Sequence, residues 1–418
     1  MPATDPRTVV ETVFRMESPR LIAGLARVVS DVGTAEELAQ DALVAALEQW
    51  PVQGVPENPG AWLVSAAKRR AIDRVRHERM AGVKHEMLGH ETDALAESAL
   101  AKLEHALDDD IGDDLLRLMF VACHPVLALD ARIALTLRLV AGLSTTEIAR
   151  AFLVPEPTIA QRIVRAKRAL AQSGVPFEVP RGAERAERLA SVLEAIYLVF
   201  NEGYSATAGD DLLRPELCDD ALRLGRMLAE LAPGEPEVHG LVALMELQAS
   251  RLKARSAPDG TPVLLPEQNR ARWDRILIRR GLAALERAER LGGAYGIYAL
   301  QAAIAACHAR ALRHEDTDWH AIAERYDALA AITGSPVIEL NRAMAHAMAH
   351  GAEAGLAMID RLAGERVLEG YHLLAAARGD LLERLGRHDE ARAAFARAAA
   401  GTRNERERTL LLKRAAKP

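Results

Sequence analysis

The chain has 418 residues, enough for roughly two to four domains that each bury a core. Half of the residues are hydrophobic and 4% aromatic, with 28 Gly and 19 Pro, a balance that excludes collagen-like, low-complexity and disulfide-scaffold proteins. Lys and Arg number 53 against 59 Asp and Glu, a net charge of -6, so any affinity for nucleic acid must sit in local patches.

An Ala-, Leu-, Arg- and Glu-rich chain with few β-branched runs predicts an all-α fold. Cys123, Cys218 and Cys307 are far apart and odd in number, which predicts reduced thiols in a cytoplasmic protein, and no metal-ligand spacing accompanies them. The N-terminal MPATDPRTVVETVFRM has no apolar run behind basic residues, and no uncharged stretch of about 18 apolar residues occurs anywhere. The expectation is a protein that is neither exported nor membrane-spanning.

Along the chain, Leu21, Leu25, Val28, Val29 and Val32 predict the buried stripe of a helix ending near Gly33. Thr34 with Glu37 reads as a capping box, after which Ala35, Leu38, Ala39, Ala42, Leu43, Ala46, Leu47 and Trp50 recur at helical spacing. Glu36, Glu37, Gln40 and Asp41 fall on the opposite face, expected to be exposed. After Pro51 and Pro56, Asn58 caps a helix with Pro59 at its first position, running through Trp62 to about Arg79. Its second half, KRRAIDRVRHER, sets Lys68, Arg69, Arg70, Arg74, Arg76 and Arg79 against Asp73 and Glu78. Cations beside an aromatic suit single-stranded DNA, although Trp62 is assigned to packing.

From Ala81 to Gly112, Lys84 and Lys102 face eight acidic residues, which predicts an acidic linker with partial helix. A compact module follows from Asp113 to about Ser173. Within it, Cys123-His124-Pro125 reads as a structural turn, because no second Cys/His pair accompanies it. GLSTTEIARAFLVPEPTIAQRIVRAKRAL, residues 142 to 170, reads as a helix-turn-helix: Ser144 and Glu147 form a capping box, Leu153 to Pro155 the turn, and Pro157 and Thr158 open the second helix. Ile159, Ile163, Ala166 and Leu170 make its core stripe. Thr158, Gln161, Arg162 and Arg165, flanked by Lys167 and Arg168, make a face able to meet base edges and phosphates in a major groove. An ordinary αα-hairpin with a solvated basic face is the alternative.

A second linker is expected at Val175 to Gly182, and repeated amphipathic helices beyond it. Asn201 to Tyr204 read as a cap and turn, with a ligand or interdomain contact as the alternative, and Cys307 and His308 as core. Gly379, Ala391, Phe395 and Ala398 fit the packing positions of one tetratricopeptide (TPR) unit, which predicts a TPR-like solenoid, with an irregular helical bundle as the alternative. No nucleophile-base pair, phosphate-cradling Gly loop or carboxylate pair stands out, so no enzyme, cofactor or metal is expected.

The order of these elements, with PGAWL...AKRRAIDRVR followed by GLSTTEIA....VPE.TIAQRIVRAKRAL, resembles regions 2 and 4 of extracytoplasmic-function (ECF) sigma factors, which lack region 3, over residues 8 to 173. The extension, with FNEGYSAT at 200 to 207, AAIAACHARA at 302 to 311, DTDW at 316 to 319 and LNRAMA at 340 to 345, resembles that of the ECF subgroup bearing a TPR-like C-terminal domain. The resemblance implies core RNA polymerase, through its β′ clamp and β flap, and promoter DNA as partners. It also implies a protein or small-molecule regulator acting on the extension. It places Glu36, Glu37, Gln40 and Asp41 on the clamp, Lys68, Arg69, Arg70, Arg74 and Arg76 on the -10 element, and Thr158, Gln161, Arg162, Arg165, Lys167 and Arg168 on the -35 element. Arg69 and Ala160 stand where many members carry Asn and Lys. The implied domains are 8-80, 81-112 (linker), 113-174 and 183-418. A self-sufficient ligand-sensing helix-turn-helix regulator and a helical scaffold are the alternative readings.

Overall fold

The helical stripes are realised almost throughout the computed structural model, which describes residues 6–83, 111–206, 213–258, 260–362, 368 and 371–417. Among the described residues there are eighteen α-helices and no strand, in keeping with the all-α expectation. They divide into two compact units, 1–195 and 196–418.

The first unit holds α1 (Pro6–Val29), α2 (Val32–Gln53), α3 (Pro59–Val83), α4 (Ile111–Ala122), α5 (Leu129–Leu139), α6 (Thr145–Ala151), α7 (Glu156–Ser173) and the first part of α8 (Gly182–Tyr204). Helix α1 packs on α2, α3 and α4, so its own stripe, with Leu21 and Leu25 fully buried, joins the early helices to the later ones. Trp50 is buried and Trp62 packs edge-on against it at 5.5 Å, the packing role expected of Trp62. Of the segment read as an acidic linker, residues 84–110 lie outside the described residues.

Two helix boundaries differ from expectation. Helix α1 ends at Val29, and the chain reverses through Ser30 in the left-handed region (φ 54°). Helix α2 therefore starts at Val32, and Asp31, not Thr34, is its cap: the Asp31 carboxylate accepts the Thr34 N–H at 2.6 Å. Gly33 permits this, since a Cβ there would stand 3.2 Å from Asp31 Oδ1. Asn201 to Tyr204 are not a cap and turn but the last turn of α8. The helix continues because Gly203 lets the next helix approach closely; a Cβ at that position would lie 2.7 Å from the Cys218 backbone nitrogen.

The second unit continues with α9 (Pro215–Leu231), α10 (Pro236–Ala249), α11 (Arg275–Arg290), α12 (Ile297–Arg310), α13 (Trp319–Thr333), α14 (Pro336–His350), α15 (Ala352–Leu362), α16 (His372–Arg384), α17 (His388–Gly401) and α18 (Glu405–Ala415). Each packs chiefly on its neighbours in sequence, the wiring of a solenoid. Between α10 and α11 the chain instead makes three short 3₁₀ turns and an isolated Ser256–Pro262 bridge, which breaks any 34-residue period. The TPR-like packing near the C-terminus is present: a Cβ at Gly379 would meet the Phe395 ring at 2.8 Å, and Ala391, Phe395 and Ala398 are buried.

The corrected cap is testable. Asp31→Ala should cost about 1 kcal/mol in urea denaturation followed by circular dichroism, while Thr34→Ala leaves the curve in place. The opposite order of effects would return the cap to Thr34.

Candidate nucleic-acid interface

The helix-turn-helix is built as its sequence dictates. Ser144 caps α6, its Oγ accepting the Glu147 N–H at 3.1 Å, while Glu147 accepts the Ser144 N–H at 2.8 Å. Burial pushes the Glu147 carboxyl up, but its bonds to Ser144 and the charge of Arg15 at 3.2 Å more than offset this and hold it below the usual range. Leu153, with φ 51°, makes the turn into α7. Ile159, Ile163, Ala166 and Leu170 are all buried, and Thr158, Gln161, Arg165 and Arg168 are exposed on the other side.

Two of the expected DNA-facing side chains are already engaged. Arg162 pairs with Asp130 of α5 at 3.2 Å. Lys167 pairs with Glu36 of α2. Glu36 is only 4% exposed, which corrects the expectation of a wholly exposed polar face on α2. The reason is tertiary: α7 packs on α2, and Glu36 receives Arg138 Nε at 2.6 Å, Lys167 Nζ, and the Gln40 side-chain amide at 3.0 Å. A carboxylate removed from water is tolerable only with such partners. Glu37 and Asp41 remain exposed, Glu37 holding Arg74 of α3 at 3.2 Å.

On α3, Lys68 and Arg70 are half-buried and Arg69 is exposed, its Nε donating to the Ser65 carbonyl at 3.3 Å. Arg70 Nη1 is buried without a partner among the described residues. Arg76 lies on the same helix, its side chain outside the described residues.

The partners that sequence reading missed, Arg15, Asp130 and Arg138, are ordinary surface-type residues with no local signal. The same holds for the buried Asp114, which Arg27 meets at 3.3 Å. Cys123-His124-Pro125 is a turn, as expected: the Cys123 thiol, pushed up to about 11 by burial, lies 3.0 Å from Thr136 Oγ1, and His124 Nδ1 accepts the Val126 N–H. The first part of α8 secures this turn, Ser191 Oγ donating to the Cys123 carbonyl at 2.5 Å and Arg188 to the Phe120 carbonyl at 3.0 Å.

A family model for sigma-70 region 2 matches residues 13–80, and one for sigma-70 region 4 matches residues 117–170. The chain belongs to the sigma-70 family. It is an ECF-like sigma factor with a C-terminal extension, in which residues 188–289 match a family of unknown function. An uncharacterized protein of Rhizobium meliloti (strain 1021) is 46% identical over 390 residues, which cover 93% of this sigma factor and 91% of that protein. Sigma factors of this family bind core RNA polymerase and promoter DNA and are transcription factors, not enzymes. Among the described residues no helix is long and apolar enough to cross a membrane.

The Glu36 cluster thus joins a side chain of region 2 to two of region 4. Glu36→Gln keeps the shape and removes the charge. Because the two cations are about a fifth exposed, the loss should be about 1–2 kcal/mol, less than for a fully buried pair. Amide exchange in α7 should then accelerate about 5- to 30-fold, while Glu37→Gln leaves it unchanged. Equal exchange in both variants would mean that the cluster does not hold the regions together.

Proposed function

We propose that this sigma factor initiates transcription as an ECF sigma factor, the exposed face of α7 reading the -35 element. That face supports the reading most strongly: Thr158, Gln161, Arg165 and Arg168 lie together opposite a complete core stripe. Arg162 and Lys167 complete the set once released from Asp130 and Glu36. Lys68, Arg69, Arg70, Arg74 and Arg76 of α3 grip and help melt the -10 element, where phosphates require charge and unpaired bases require stacking surfaces. Glu37, Gln40 and Asp41 dock on the β′ clamp with Glu36 behind them, and region 4 meets the β flap. The working boundaries are 8-80 for region 2, 81-112 for the linker and 113-174 for region 4. Residues 183-418 form a regulatory extension answering to a protein or small molecule, and the protein works in the cytoplasm, where polymerase is.

The Glu36 cluster favours a further element of this reading, a closed resting state. Elements centred near -10 and -35 lie about 25 base pairs apart, about 85 Å at 3.4 Å per base pair. Regions 2 and 4 in direct contact through α2 and α7 cannot reach both. Polymerase binding has to separate them, and its free energy must exceed that of the cluster together with the apolar packing of α1 on α4.

Run-off transcription with purified core polymerase on a randomised promoter library tests the assignment. The expected result is a set of transcripts that depends on this protein and shares two boxes. Sequence-specific DNA binding without polymerase, and no transcripts with it, would favour a self-sufficient helix-turn-helix regulator. Asp41→Lys should abolish pull-down of core polymerase while circular dichroism stays helical; retained binding would remove α2 from the clamp interface. In the same selection, Arg165→Ala should relax preference at one -35 position, a loss of about 1–3 kcal/mol. Wild-type preference and strength in that variant would mean that Arg165 is merely solvated.

A further inference from the structure

Four segments of the extension stand out in the sequence, at 200–207, 302–311, 316–319 and 340–345, and they lie on different elements of the second unit. The structure brings them around two adjoining cavities. The first, of about 160 Å³, is lined by Asn201, Gln248, Gln301 and Asn341 among others, and by no charged side chain among the described residues. Gln301 is fixed in place, accepting from the Tyr197 hydroxyl at 3.0 Å and donating to the Ile297 carbonyl at 3.2 Å. The second cavity, of about 240 Å³, shares Tyr326 and Asn341 with the first and is walled by Trp319, Met344 and Met348.

Two histidines, His308 and His314, also line this second cavity. His308 is 8% exposed, and its Nδ1, like that of His314, is shut off from the cavity and has no hydrogen-bond partner among the described residues. Burial, helped by Arg251 and Arg270, lowers His308 to about 3. Buried Arg270 fixes the backbone here, donating to the His308 carbonyl at 2.7 Å, to the Ala311 carbonyl at 2.9 Å and to Thr317 Oγ1 at 3.0 Å. Trp319 stands edge-on to both histidines, at 5.2 and 5.8 Å. Arg384, the one permanent cation on the wall among the described residues, is paired with Asp380 at 3.0 Å.

We propose that the two cavities form one binding site for an uncharged small molecule with a flat aromatic body and a carboxamide or lactam edge. The body fits between Trp319 and the two methionines. The edge fits among Asn201, Gln248 and Asn341, since a carboxamide offers one donor and one acceptor side by side and pairs bidentately with another amide. In the first cavity an ionised head would lose its hydration with no charged side chain among the described residues to replace it. The combined space is near the lower end of small-molecule sites, about 300–1,000 Å³. The inference concerns binding alone and stands whether or not the extension regulates transcription.

Saturation-transfer NMR and calorimetry on the full chain test it, with indole-3-acetamide, nicotinamide and uracil as neutral probes and indole-3-acetate as the charged counterpart. At least one neutral probe should bind with a Kd below about 1 mM, and indole-3-acetate about tenfold or more weakly than indole-3-acetamide. Asn341→Leu and Gln248→Leu should each weaken the bound probe about tenfold while the helical spectrum and Tm are kept. Asn341 is exposed and Gln248 half-buried, so if Gln248→Leu fails to fold, Asn341→Leu decides alone. The proposal is overturned if no neutral probe binds, if indole-3-acetate binds as tightly as its amide, or if folded variants bind like the wild type.

Discussion

A single carboxylate, that of Glu36, sets the arrangement of the first unit. Its burial on α2 would be prohibitive without Arg138 and Lys167, and both of these belong to region 4. Around this point the other contacts between the two regions fall into place. Arg15 reaches the capping box at Glu147, and Arg27 reaches Asp114 at the start of α4. These pairs are individually weak or modest, and each ion can be rehydrated or re-paired when the regions part. The apolar packing of α1 on α4 adds to what their separation must overcome.

The second unit uses buried polar groups for a different end. Glu237 is largely buried, which pushes its carboxyl up despite the backbone N–H groups it accepts, from Tyr298 at 2.9 Å and Ala299 at 3.3 Å. It thereby caps the N-terminus of α12, and Arg270 occupies the carbonyls at the other end of the same helix. With both ends fixed, α12 presents Gln301, Ile304 and His308 along one wall of the cavities.

What the sequence made legible follows from the range of each interaction. The Ser144–Glu147 box and the Ile159, Ile163, Ala166, Leu170 stripe were read correctly because both are set within a few residues. The start of α2 was misplaced by a competition between two nearby acceptors, Asp31 and Thr34, which the left-handed Ser30 resolves. The burial of Glu36 had no local signal at all, since Arg138 is 102 residues away. The apolar residues around His308 predict a core position, and it is buried. Periodicity says which way a side chain points; it does not say whether the space it enters is filled, so the cavity was out of reach. Asn201 and Tyr204 looked like a helix end because polar residues follow an apolar run, whereas Gly203 permits the contact that carries the helix on.

The central claim is that regions 2 and 4 are held together in the free protein and part when the promoter is engaged. Fluorescent labels at the exposed positions Gln49 of α2 and Gln172 of α7 report this directly, because the three native cysteines are buried and compete little for the dyes. Single-molecule energy transfer should be high for the protein alone and low once it is bound with core polymerase to promoter DNA, as a separation approaching about 85 Å requires. High transfer in the promoter complex, or low transfer in the free protein, would contradict the account.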